Sequence, residues 1–128
     1  MNNNAYATLV GRILLSLLFI LAGYSKLTGI AGTAGWFGSL GIPLPTVAAV
    51  VIGLVELVGG LAILVGFHAR IAALVLAAFT IGATLIAHMD LEDPMQVLMI
   101  QKNLAITGGL LILAALGAGA LSIDARRK

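Results

Sequence analysis

Apolar residues in this chain neither alternate with polar ones nor keep to a single helical face. They run on in four long blocks, at residues 5–27, 46–67, 71–88 and 99–116. A bilayer core about 30 Å thick is crossed by roughly 20 residues at about 1.5 Å each, so each block is predicted to be a membrane-spanning α-helix. The connections between blocks are short, which favours an up-down-up-down order. The expected fold is all-α: an integral membrane antiparallel four-helix bundle, with residues 1–128 forming one domain. The first block is expected to be a span rather than a cleaved leader, because Arg12 lies inside it and AGYSKL makes a poor small-x-small cleavage site.

The first connection differs from the others. Gly29, Gly32, Gly35, Gly38 and Gly41 recur at every third position between residues 28 and 45, with too little proline for a collagen-like strand. Trp36 and Phe37 suit the headgroup level, where amphipathic rings settle. A short external helix or re-entrant segment ended by Pro43 and Pro45 is predicted here, with a mobile external loop as the alternative. Two short echoes, VGGLAIL at 58–64 with TGGLLIL at 107–113 and GRI at 11–13 with ARI at 69–71, point to two parallel helix-pair repeats.

Composition sharpens this picture. Of 128 residues, 61% are hydrophobic and 9% charged, with a mean hydropathy of +1.15. A water-soluble domain carries roughly a quarter charged residues, so the bilayer is the expected surrounding. The net charge of +2 comes from scattered Lys and Arg, not from the clustered face a nucleic acid needs, and no nucleic-acid partner is expected. Arg70, Arg126, Arg127 and Lys128 fall on the same side as the N-terminus, while Asp90, Glu92 and Asp93 fall on the other. Lys and Arg weighting therefore places both termini in the cytoplasm.

Charged residues inside the apolar blocks mark the candidate site, since a charge at the middle of a span is costly and turns inward. Glu56 lies near the centre of the second block, on a helical face shared with Gly53, Gly59 and Gly60. That face lets a neighbouring backbone come close. Counting about 1.5 Å per residue from the inner boundary puts Glu56 roughly 17 Å up, Lys26 and Lys102 about 21 Å and His88 near 27 Å. A pocket in the outer half lined by Lys26, Glu56, His88, Lys102 and Asn103 is expected. Arg12 is a candidate for interior pairing, with Glu56 within its reach if it lies deep; otherwise it is a snorkelling interfacial cation. Snorkelling outward is the alternative for both lysines, a purely structural ion pair for Glu56, and a helix-capping role for His88.

Several chemistries are excluded by what the sequence lacks. There is no cysteine, hence no disulfide, thiolate metal site or thiol relay. His68 and His88 fall at opposite membrane faces, and no zinc or iron–sulfur spacing occurs, so no metal site is expected. The paired glycines lack the flanks of a nucleotide loop. No catalytic residue stands out, and no cofactor is intrinsic to the chain. Any redox chemistry must be carried by a bound organic molecule or a partner.

In order and register, Arg12, FILAGYSKLTG at 19–29, ELVGGLAILVGFHAR at 56–70, His88 and QKNLAITGGLLIL at 101–113 resemble the DoxX family of small four-span bacterial inner-membrane proteins, closest to its unassigned members. The resemblance covers essentially the whole chain. It implies an inner-membrane address and quinone-linked chemistry in which other subunits hold the catalytic centres. The expected function is a quinone- or small-acid-binding accessory subunit of a membrane oxidoreductase, with a bound quinone as the candidate cofactor and redox subunits as partners. The alternatives are a structural scaffold that recruits an enzyme, and a small-solute transporter working as a homo-oligomer.

Overall fold

The computed structural model describes residues 3–127. Six helices follow one another: α1 (Asn3–Thr28), α2 (Ile30–Ser39), α3 (Pro45–Val65), α4 (Ala69–Ala87), α5 (Pro94–Leu116) and the single turn α6 (Ile123–Arg126). Helices α1, α3, α4 and α5 are each long and apolar enough to cross a membrane, and together they form the antiparallel four-helix membrane bundle. Most of their large apolar side chains point outward. Leu14, Leu21, Val58, Leu85 and Leu104, for example, are all more than half exposed. Those surfaces suit lipid tails; the shared core is small and built around Phe19, Ile63, Leu76, Leu110 and Leu113.

The bundle is made of two helix pairs. Helix α1 packs along α3, α4 packs along α5, and α3 against α4 joins the pairs. Close approach in the first pair depends on missing side chains. A Cβ on Gly23 would lie 2.5 Å from the Leu57 nitrogen and 2.7 Å from the Gly53 oxygen, so the two backbones touch where glycine leaves room. On α3, Gly53 and Gly60 face α1 while Gly59 faces Leu76 of α4. The second Gly-Gly pair behaves differently. Gly108 meets nothing within 4 Å, and Gly109 meets only the Leu15 side chain at 3.9 Å. The sequence echo therefore does not repeat as tight packing.

Helix ends follow local chemistry. Pro45 and Pro94 occupy first-turn positions, where a missing N–H costs nothing. The Asp93 side chain caps α5 by accepting from the Met95 amide at 2.9 Å. Helix α3 ends at Gly66 with φ 74°, and the Phe67 amide bonds back to the Ala62 oxygen at 2.9 Å, a left-handed stop that glycine takes without strain. Residues 30–39 form the predicted short external helix, α2, which lies against α3. Its Phe37 is buried, whereas Trp36 remains 44% exposed. The two rings therefore have different surroundings. Phe37 turns inward because its side of α2 rests on the bundle.

The opposite end is closed by the C-terminal segment, a feature the hydrophobic pattern does not announce. Helix α4 begins after His68, whose side chain provides no cap. Asp124 supplies it instead: the His68 and Ala69 amides donate to its two carboxylate oxygens at 2.7 and 2.9 Å. The Asp124 amide in turn donates to the Gly66 oxygen at 2.8 Å, and Arg127 stacks over Phe67 at 5.1 Å. Burial pushes the Asp124 carboxyl upward, but the two amides, His68 and Arg127 outweigh it and hold it below its ordinary value. A depressed folded value means the cap is fully in place above the usual carboxylate range and is lost as pH falls through the depressed value. Amide-exchange protection of residues 122–125 is expected to drop on acidification below about pH 4. In Asp124→Asn it is expected to be low at every pH; unchanged protection in that variant would overturn the cap.

Arg12 belongs to this end too. It is 2% exposed and donates to the backbone oxygens of Leu121 and, at 3.5 Å, Ile63. It neither pairs with Glu56 nor snorkels to the interface, because the returning chain at residue 121 covers it and presents a carbonyl. Arg70 repeats the pattern on the second pair, donating to the Ala115 oxygen at 2.9 Å and the Leu116 oxygen at 3.4 Å. In each pair an arginine of the first helix therefore reaches the end of its partner, Arg12 at Ile63 of α3 and Arg70 at Ala115 and Leu116 of α5.

Candidate functional site

The Gly53 gap that brings α1 and α3 together also builds the centre of the site. A Cβ at position 53 would sit 3.3 Å from the Lys26 Cβ. Without it, the lysine stem lies along α3 toward Glu56, one turn further on. Lys26 Nζ stands 2.7 Å from Glu56 Oε1, with the side chains 20% and 6% exposed. Oε1 is fully enclosed and has no aligned hydrogen bond, so the contact is an ion pair held by charge rather than by a directed N–H. An uncompensated carboxylate in this position would be costly.

On the other pair, a run of hydroxyls turns inward. Thr80 and Thr84 are buried and donate back to the Leu76 and Thr80 oxygens, each at 2.7 Å. The Asn103 amide donates to Thr84 Oγ1 at 2.8 Å, and Thr107 donates to the Asn103 oxygen at 2.8 Å. This ladder ties α4 to α5 and fixes the Asn103 amide. Sequence reasoning passed over the threonines, which scan as apolar filling. The available signal was their spacing, four residues apart in each of the sets Thr80–Thr84 and Asn103–Thr107.

Between the pairs lies a cavity of about 380 Å³, partly open, with Lys26, Glu56, His88, Lys102 and Asn103 all in its wall. Thr80 contributes a hydroxyl, and Phe19, Phe79, Trp36 and Phe37 contribute rings. Two of these rings, Trp36 and Phe37, come from α2, so the glycine-rich connection forms part of the site. His88 ends α4, where burial first and the charge of Lys102 second lower its pKa and favour the neutral ring. Lys102 does not join the Glu56 pair. It is exposed, and among the described residues no carboxylate lies within ion-pair distance of it. Arg12 lies at the far end of the bundle, outside the cavity wall. The chemistry on offer is thus one neutralised ion pair, one free ammonium, a neutral imidazole and an anchored amide around an apolar space.

The DoxX family profile matches residues 7–89. The chain belongs to the DoxX family. It is 46% identical to the inner membrane protein YqjF of Escherichia coli, over 91% of this chain and 88% of that one. It is 35% identical to the inner membrane protein YphA of the same organism, over 92% and 88% of the two chains. A third relative, from Bacillus subtilis and bearing the name "Putative oxidoreductase CatD", is 34% identical over 79% of this chain and 78% of its own. No solved structure matches the chain significantly.

Proposed function

We propose that this DoxX protein is an accessory subunit of a membrane oxidoreductase that holds a quinone or small organic acid in the cavity between its helix pairs. The observation that carries the reading is the wall itself: the buried Lys26–Glu56 pair at 2.7 Å faces the same apolar space as Lys102 and Asn103. Polar groups converging in an otherwise apolar pocket are what a small-molecule site requires. The name of the Bacillus subtilis relative supports a redox setting. If a quinone is the ligand, Phe79 and Phe37 would supply apolar wall for its ring and Lys102 a donor for a carbonyl oxygen. When bound, a quinone supplies two-electron redox capacity that the side chains lack. Lys102 and the neutral His88 would hold and orient it.

Inner-membrane relatives support the same address for this chain. Arginine weighting at the end that holds Arg70, Arg126 and Arg127 supports cytoplasmic termini, with the cavity mouth toward the outer leaflet. Native mass spectrometry of gently solubilised protein tests the reading. A stoichiometric co-purifying quinone, organic acid or redox subunit is expected. A chain that releases only bulk phospholipid, from membranes containing its natural partners, would defeat it.

A further inference from the structure

The two lysines of the cavity are not equivalent, and their difference defines the ligand. Lys26 is already neutralised by Glu56 at 2.7 Å. Lys102 sits in the apolar α5 yet has no acidic partner among the described residues. Asp90 accepts from the Glu92 amide at 3.1 Å and Asp93 caps α5, and among the described residues no acid of the 90–93 connection stands within ion-pair distance of Lys102. Burial and the Lys102 charge lower the pKa of the neighbouring His88, which disfavours a second positive charge there. One uncompensated positive charge therefore remains in the wall, at the end of the cavity marked by His88.

Beyond that charge most of the wall is apolar, interrupted by the Thr80 hydroxyl, the Asn103 amide and the Lys26–Glu56 pair. From His88 to Phe79 the chain spans about 13 Å, and the Lys26–Glu56 pair in the same wall brings no net charge. A ligand that satisfies this wall carries one negative charge at one end and an apolar body beyond it. Resting on the reading that the cavity binds a small lipophilic molecule, we infer that its ligand is a monoanion, a carboxylate or phenolate on an apolar body, with its oxygen on Lys102. A neutral quinone leaves Lys102 uncompensated and is the poorer fit. The anion has two sources, a free aromatic acid or an acyl chain carboxylate from the membrane, and the same chemistry recognises both.

Trp36, the sole tryptophan of the chain, lines the cavity and reports occupancy directly. The full chain, in nanodiscs of uncharged phosphatidylcholine, is titrated with para-bromobenzoate, para-bromobenzamide, a bromododecanoate and a short-chain benzoquinone, and bromine or quinone quenching of Trp36 is read. The benzoate is expected to quench saturably, with an affinity about tenfold above that of the amide. Lys102→Met is expected to erase this preference and Lys102→Arg to keep it. Lys102 is exposed and has no ion pair among the described residues, so a folded Lys102→Met is expected. Tighter binding of the dodecanoate identifies the membrane source, and tighter binding of the benzoate the free acid. Equal affinities for benzoate and benzamide, or an unchanged preference in Lys102→Met, overturn the monoanion while saturable quenching keeps the cavity reading. If none of the four probes quenches saturably, both fall.

Discussion

Lys26→Met is expected to destabilise the bundle by about 3–5 kcal/mol and Glu56→Gln by about 2 kcal/mol, with the double substitution recovering most of the loss. The asymmetry follows from exposure. Removing the lysine strands a carboxylate whose side chain is 6% exposed, while removing the carboxylate strands an ammonium that is 20% exposed. A lysine stem is long enough to carry its charge toward the cavity mouth; a glutamate beside the Gly53 contact has no such route. The double variant leaves neither charge, and methionine fills the volume of the stem. Reversible unfolding in mixed micelles, arranged as a double-mutant cycle, measures the coupling. Losses that simply add would show that the 2.7 Å contact contributes nothing, and with it the proposed centre of the cavity.

The same cycle separates a structural pair from a binding site. If the double variant is stable and still takes up ligand, the pair serves to orient α1 against α3, and the free ammonium of Lys102 carries recognition alone. If stability returns while uptake does not, the paired charges take part in holding the ligand. Either result bears on the division of labour seen in the wall, where one lysine is committed and the other is not.

Spans and depth were readable from sequence because both depend on counting along one helix. Four blocks of apolar residues became α1, α3, α4 and α5, and the glycine-rich connection became α2. Depth counting put Lys26, Glu56, His88, Lys102 and Asn103 in the same half of the membrane, and they line one cavity. Pairing was less accessible, because it depends on rotation about each helix and on which neighbour arrives. Lys26 and Lys102 had similar depths, yet only Lys26 lies against the Gly53 gap. The threonine ladder to Asn103 escaped notice because hydroxyls that donate to the preceding turn carry no charge to flag them. The partners of Arg12 are illegible in the sequence for a different reason. Its environment is made by residues 121–124, which follow the last apolar block and leave no periodic trace of folding back.

Arg12→Met is expected to cost about 3 kcal/mol, the value of two hydrogen bonds from a charged donor to carbonyls that lie out of water. The methionine has the volume of the stem but returns nothing to the Leu121 and Ile63 oxygens. The Leu121 oxygen lies in the loop between α5 and α6, so its loss is expected to loosen the closing segment and expose the Asp124 cap as well. Arg12→Lys keeps the charge but not the fork, and a single ammonium serves two diverging carbonyls poorly; a loss between those of wild type and methionine is expected. Exchange protection of residues 122–125 should fall in the order wild type, lysine, methionine. Probe binding read at Trp36 should be unchanged, since Arg12 lies outside the cavity wall. Coupled loss of both would mean that the closing segment and the cavity share one cooperative unit, and that the bundle transmits the state of its basic end through α1 to Lys26. Independent loss would assign Arg12 to anchoring the chain end alone and leave the cavity to the residues that line it.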